Sequence, residues 1–196
     1  MKSRFVLLAL LLASIALAYK PAHSEEADDT TILVAKRQLK DQLYGSTIVL
    51  VKPLGEDRHV GFIINKPTPM TLGKLFPSHA PSQKIADPVY LGGPFNAQVI
   101  FALVQRADSP GGRSVRLGQD LYLAVDSQIV DRIIENQPQN ARFFAGMVLW
   151  KPGELADEVK RGLWYLHDAR SELVLRKADG LWEELVGRSE RKANTI

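Results

Sequence analysis

The chain has no cysteine, and that absence removes several kinds of chemistry at once. It leaves no thiolate nucleophile, no disulfide framework and no thiolate-bound zinc or iron–sulfur cluster. A surplus of one charge sign is nearly as scarce. The whole chain carries 25 Lys plus Arg against 22 Asp plus Glu, a formal charge of +3, which taken alone points to an acidic partner such as nucleic acid. That surplus is confined to the first 24 residues, where Lys2, Arg4 and Lys20 are the only Lys, Arg, Asp or Glu side chains. Beyond residue 24 the two signs balance, so the excess that drives phosphate affinity is missing and nucleic acid is not an expected partner. Long apolar runs are missing too. The longest, residues 5–18, holds fourteen apolar or small residues, short of the roughly 20 that a membrane-spanning helix needs.

What that run does resemble is the core of a secretory signal. Met1-Lys2-Ser3-Arg4 supplies a short positive start, the apolar stretch follows, and small residues then offer two cleavage sites. Cleavage after Ser24, within Ala22-His23-Ser24, is favoured, with cleavage after Ala18 as the alternative. The expected destination is the periplasm or the exterior, with no membrane span left once residues 1–24 are removed. Residues 25–30 form an acidic, mobile start, residues 31–187 a single domain, and residues 188–196 a frayed polar tail. The charged share of 24% is ordinary for a soluble domain, and the body is long enough to bury a full core without covalent staples.

Short β-branched runs dominate the first part of the body: residues 31–35, 46–51, 60–64, 89–91 and 99–104. They are continuous rather than alternating, which suggests strands covered on both faces. Residues 54–58 read as a hairpin turn between two of them. Asn65-Lys66-Pro67-Thr68-Pro69 ends a strand, because proline lacks a donor and restrains its predecessor. Helical spacing predicts a helix over residues 127–136, capped by Asp126, with Ile129, Val130, Ile133 and Ile134 on its inner face. Further helices are expected over 154–161 and 181–186, and a brief one over 71–76. The ranges 116–125, 142–150, 164–167 and 172–176 read as strands. Strands first and a mixed order afterwards make an α+β fold with a largely antiparallel sheet.

Three blocks carry unusual residue types. One is Gly61-Phe-Ile-Ile-Asn65-Lys66-Pro67, a strand ending in a polar pair. Another is Tyr90-Leu91-Gly92-Gly93-Pro94. The third runs Gly146-Met-Val-Leu-Trp150-Lys-Pro-Gly153-Glu154-Leu155-Ala-Asp-Glu158 and continues to Gly162 and Trp164. In this order and spacing they resemble the YqgE/AlgH family of bacterial proteins, and the resemblance covers residues 31–186. It implies a single domain whose bifurcated sheet folds into a pseudo-barrel flanked by helices. It implies no reaction, because the family has no established activity, although one branch takes its name from an association with regulation of alginate synthesis. Two departures stand out: Glu154 replaces the family's Gln, and an export signal is unusual in a family treated as cytoplasmic. An exported protein does not meet chromosomal promoters.

Each block has a functional and a plain structural reading. Gly92 and Gly93 can form an anion-binding turn, or simply end a strand; Lys66 can supply a positive charge to the same ligand, or remain a solvated side chain. Glu154 and Glu158 share a helix face and suit acid–base work or a divalent metal, or the ordinary preference for acids in a first helical turn. Trp150 and Trp164 can stack on a ligand or pack. Beyond residue 24 the histidines are His59, His79 and His167. His167 and Asp168 lie next to each other on a strand and so point to opposite faces, which spoils a triad. No nucleophile elbow, zinc helix or dinucleotide fingerprint occurs, so no cofactor is expected. The sequence therefore points to a non-catalytic binding or regulatory module for an unidentified protein or small molecule, with Asn65, Lys66, Gly92, Gly93, Trp150, Glu154 and Glu158 as its site. The alternatives are a metal-assisted hydrolase using Glu154 and Glu158, or a transcription-regulator-like protein if the N-terminus is retained.

Overall fold

The computed structural model describes residues 29–193. The expected signal sequence, most of the acidic start and the last three residues of the tail lie outside that range. Strands β1 (Thr31–Ala35), β2 (Ile48–Gly55) and β3 (Arg58–Ile63) form an antiparallel meander. Glu56 and Asp57 turn the β2–β3 hairpin with φ of 51° and 57°, the left-handed conformation that a tight hairpin turn requires. The chain then runs through β4 (Pro67–Thr71), α1 (Leu72–Leu75), α2 (Ala80–Gln83), β5 (Pro88–Leu91), β6 (Phe95–Gln105), β7 (Val115–Arg116), β8 (Leu121–Ala124) and α3 (Ser127–Asn136). It ends with β9 (Ala141–Trp150), α4 (Glu154–Lys160), β10 (Trp164–Asp168), α5 (Ser171–Val174) and α6 (Leu181–Ala193). The strand order β10-β1-β2-β3-β9-β6-β8-β7 curls into a half-barrel flanked by helices, an α+β single domain.

The sheet forks at β9. Along its first half β9 lies between β6 and β5, with Phe144 opposite both Phe101 and Tyr90; β5 is its parallel neighbour. Along its second half β3 takes the place of β5, with Gly61 opposite Val148 and His59 opposite Trp150. The chain after β5 wedges into this fork. The Gly92 N–H donates to the Ala145 carbonyl at 2.9 Å, and its own carbonyl accepts the Ile63 N–H at 2.9 Å. Side chains are excluded there: a Cβ on Gly92 would lie 2.2 Å from the Gly146 oxygen, and one on Gly93 2.2 Å from the Met147 backbone. The Gly92-Gly93 pair is thus buried at the fork, and the Gly92 N–H is taken by the Ala145 carbonyl.

β1 and the first half of β2, Ile48 to Val51, are buried on both faces, as their unbroken apolar runs led one to expect. Ile32, Val34, Ile48 and Leu50 meet Leu181, Leu185 and Val186 of α6 on one side. Leu33, Val49 and Val51 meet Leu155 and Val159 of α4, with Leu39, Leu43 and Tyr44, on the other. α3 has the expected bounds. Its Asp126 cap accepts the Gln128 N–H at 3.0 Å, and its four inner aliphatics pack on β6 and β8.

Four sequence readings differ from the structure. Residues 116–125 are two short strands rather than one, because Arg116 bonds the Gly118 and Gln119 carbonyls and folds the segment into a turn. Residues 172–176 are not a strand. The buried Arg142 guanidinium collects the Val174, Leu175 and Arg176 carbonyls at 2.6–2.9 Å, together with Ile64 O at 3.1 Å, and this holds the segment as the end of α5. Pro67 begins a new strand instead of only closing the previous one, a position that costs no ladder donor. The polar tail is helical through Ala193, where Ser189 bonds His167 and Glu190 pairs with Arg37.

Candidate functional site

The third sequence block builds a cavity between β9, β10 and α4. Gly146, with φ 72°, passes the fork and Gly153, with φ 84°, turns the chain into α4; both adopt the left-handed region that side chains avoid. The Gly153 N–H donates to Asp57 Oδ2 at 2.7 Å, which ties the β2–β3 hairpin to the start of α4. Glu154 reaches back to accept the Lys151 N–H at 2.8 Å. At the far end Gly162, with φ 73°, stops the helix, and the Gly162 and Leu163 N–H groups return to Val159 O and Glu158 O. α4 is therefore clamped at both ends across the sheet face carrying Trp150 and Trp164.

Both indoles are buried, and both N–H groups donate to the same oxygen. Trp150 Nε1 lies 3.1 Å and Trp164 Nε1 2.8 Å from Glu158 Oε2. Gly61 clears the space, since a Cβ there would lie 2.7 Å from the Trp150 ring. Above this arrangement opens a cavity of about 370 Å³, lined by Tyr44, Trp150, Trp164, Glu154, Asp157, Glu158 and Arg161, among others. Burial, and next the Glu158 charge, push the Tyr44 phenol above its ordinary pKa. Among the described residues no three His, Asp or Glu side chains converge to hold a metal ion, although three carboxylates line this one cavity.

Asn65 and Lys66 act on this cavity from behind. Asn65 Oδ1 accepts the Ile48 N–H at 2.8 Å and Nδ2 donates to Ser46 O at 2.9 Å. Lys66 Nζ donates to the Leu43 and Gln42 carbonyls, and burial lowers its pKa, with Asp41 opposing the shift. Together they hold the 41–48 loop that delivers Tyr44. The structure thus gathers Trp150, Glu154 and Glu158 in one cavity and links Asn65 and Lys66 to it through a loop. It leaves Gly92 and Gly93 buried at the fork, where Gly93 touches Val148 beneath the cavity.

Two important residues escaped the sequence reading. Tyr44 sits in a turn where Asp41 Oδ1 accepts the Leu43 and Tyr44 N–H groups at 2.8 and 2.7 Å. The signal was an Asx-type turn followed by Gly45, whose Cβ would strike the Asp41 carbonyl at 2.5 Å. Arg142 was the one charge within an otherwise apolar strand run. Its ring partner is Tyr90, 4.4 Å from the guanidinium carbon. His167 lies elsewhere, in a second concavity of about 310 Å³ with Arg170, Glu172, Arg176, Glu184 and Arg188. Its Nε2 meets Ser189 Oγ at 2.8 Å, but that hydroxyl already donates to Leu185 O, so the ring nitrogen donates and does not activate the serine.

The sequence of this chain from residue 32 to residue 194 matches the family model described as AlgH-like. The chain belongs to the AlgH-like family. A UPF0301 protein of Myxococcus xanthus is 31% identical over 158 residues, 78% of this chain and 85% of that protein. A UPF0301 protein of Bacteroides fragilis is 28% identical, covering 84% of each. The solution structure of the AlgH protein from Pseudomonas aeruginosa superposes with a TM-score of 0.68 at 20% identity, covering 82% of this chain and 87% of that one. A crystal structure of a Corynebacterium diphtheriae protein gives 0.67 at 21% identity, covering 81% of this chain and 85% of that one. These likenesses establish the AlgH-like family and the half-barrel fold.

Proposed function

We propose that this AlgH-like chain is a non-catalytic binding module whose site is the cavity walled by Tyr44, Trp150 and Trp164. The observation that carries the reading is the convergence of two buried indole N–H groups on one oxygen of Glu158 at the floor of an open, clamped cavity. Aromatic walls with a few fixed polar groups are the usual make-up of a small-molecule site. The paired carboxylates fit this role better than acid–base work. Glu154 holds a backbone N–H and Glu158 holds two indoles, so both carboxylates help to fix the walls of the cavity. The same reading places the protein outside the cytoplasm, directed there by residues 1–24; fractionation and N-terminal sequencing test that part, and a cytoplasmic product beginning at Met1 would refute it. Among the described residues no helix is long and apolar enough to cross a membrane.

The site reading is tested with protein carrying 5-fluorotryptophan, screened by fluorine NMR against a small-fragment library. Trp182 is an internal control, because its indole is tied to Ala35 O on the opposite sheet face. Fragments that shift Trp150 and Trp164 but not Trp182 support the site. A library that moves none of them, or all three together, sinks it.

A further inference from the structure

The lining of this cavity specifies more than a small molecule. Glu158 Oε2 consumes both indole N–H groups, so the buried tryptophans offer a ligand no donors. Of the other polar side chains around it, Glu154, Asp157 and Glu158 only accept hydrogen bonds when ionised, against one cation, Arg161. Among the described residues the Asp157 and Arg161 side chains make no hydrogen bond or ion pair, and only one oxygen of Glu158 is engaged. The wall is therefore rich in acceptors and carries two more negative charges than positive ones, on a chain whose charges balance beyond residue 24. A ligand that supplies donors and positive charge is favoured by both features. A metal ion is the poorer occupant, since no three of the carboxylates meet at a point, whereas an extended organic cation addresses them separately.

Resting on the binding reading above, we infer that the cavity takes a small organic cation bearing ammonium or guanidinium groups. The ammonium would donate to Glu158 and Asp157, with its alkyl chain against the apolar part of the wall beside Tyr44. A linear diamine matches the surplus of two negative charges and fits a volume of about 370 Å³.

The probes are 1,4-diaminobutane, 1,4-butanediol and succinate, alike in chain length and different in charge, titrated against the fluorotryptophan-labelled full chain. The diamine is expected to shift Trp150 and Trp164, to leave Trp182 unmoved, and to bind more weakly as salt rises. Asp157→Asn, at an exposed position, and Glu158→Gln, which keeps an acceptor for both indoles, are each expected to weaken the diamine about tenfold. The inference is overturned if the diol or succinate shifts the two resonances as strongly as the diamine, which would leave the binding site standing with a different ligand class. It is equally overturned if the diamine moves neither resonance, or if both variants bind it as the parent does. Failure of the whole fragment library, by contrast, would remove the site itself.

Discussion

At the scale of single residues, Glu158 serves two ends with one carboxylate. Its Oε2 satisfies two buried donors that would otherwise be stranded, and an unmet buried donor costs roughly 1–3 kcal/mol. Glu158→Ala should therefore destabilise the fold by about 2 kcal/mol in urea melts, less than two full penalties because water reaches the half-buried site. Glu158→Gln should cost well under half as much. Equal losses for the two variants would show that the indoles do not depend on this acceptor. His167 makes a different prediction. Burial first, and then Arg188, lower its pKa from the ordinary 6.5. The unfolded chain thus takes up the proton more readily than the folded one, so this contribution to stability is intact above pH 6.5 and is lost as pH falls through the lower folded value. His167→Gln should flatten the stability–pH curve below 6.5, and an unchanged slope would count against the assignment.

At the scale of elements, α3 was readable because three local signals agree: an aspartate cap, a helical apolar stripe and no internal glycine or proline. Asp126→Ala removes the bond to the Gln128 N–H and should cost about 1 kcal/mol, measured by thermal or urea unfolding. The segment 171–176 was unreadable for the opposite reason. Its Leu-Val-Leu run has strand character, and what makes it helical is an arginine some thirty positions earlier in sequence that gathers its carbonyls. Arg142→Leu should release those carbonyls and cost about 3 kcal/mol or more. Near-parent stability in that variant would mean that the helix forms without it. The candidate site was half legible. Trp150, Glu154, Glu158 and Trp164 belong to one continuous stretch, and helical spacing shows which side chains share a face. Tyr44 comes from a loop more than a hundred residues away in sequence, brought in by Lys66 and Asn65, and no local pattern encodes that meeting. Gly92 and Gly93 were visible as unusual, but a glycine pair reads alike whether it opens to a ligand or closes on another backbone.

At the scale of the whole molecule, the fork at β9 holds the two halves of the half-barrel in one sheet. Gly92 bridges them, bonded to β9 through Ala145 and to β3 through Ile63. Gly92→Ala forces a methyl to within 2.2 Å of the Gly146 oxygen, a contact that only backbone movement relieves. A loss of about 3 kcal/mol is expected, at the upper end for overpacking, with amide exchange rising in both β3 and β9. Exchange rising in only one of these strands would show that the fork is not a shared joint. Gly153→Ala is the useful contrast, since nothing lies within 4 Å of its absent Cβ and only its φ of 84° opposes the change.

The placement of the last helix also bears on the order in which the protein can be finished. β1, the first strand among the described residues, pairs on one side with β10 and is covered by Leu181, Leu185 and Val186 of α6. Trp182 closes the arrangement by donating to Ala35 O at 2.7 Å. Until residues 164–186 have been made, β1 therefore has β2 beside it but lacks its other strand neighbour and the α6 side of its cover. Contacts that span so much sequence form late and slowly. The side of β1 that faces α6 is thus the last part of the core to be closed.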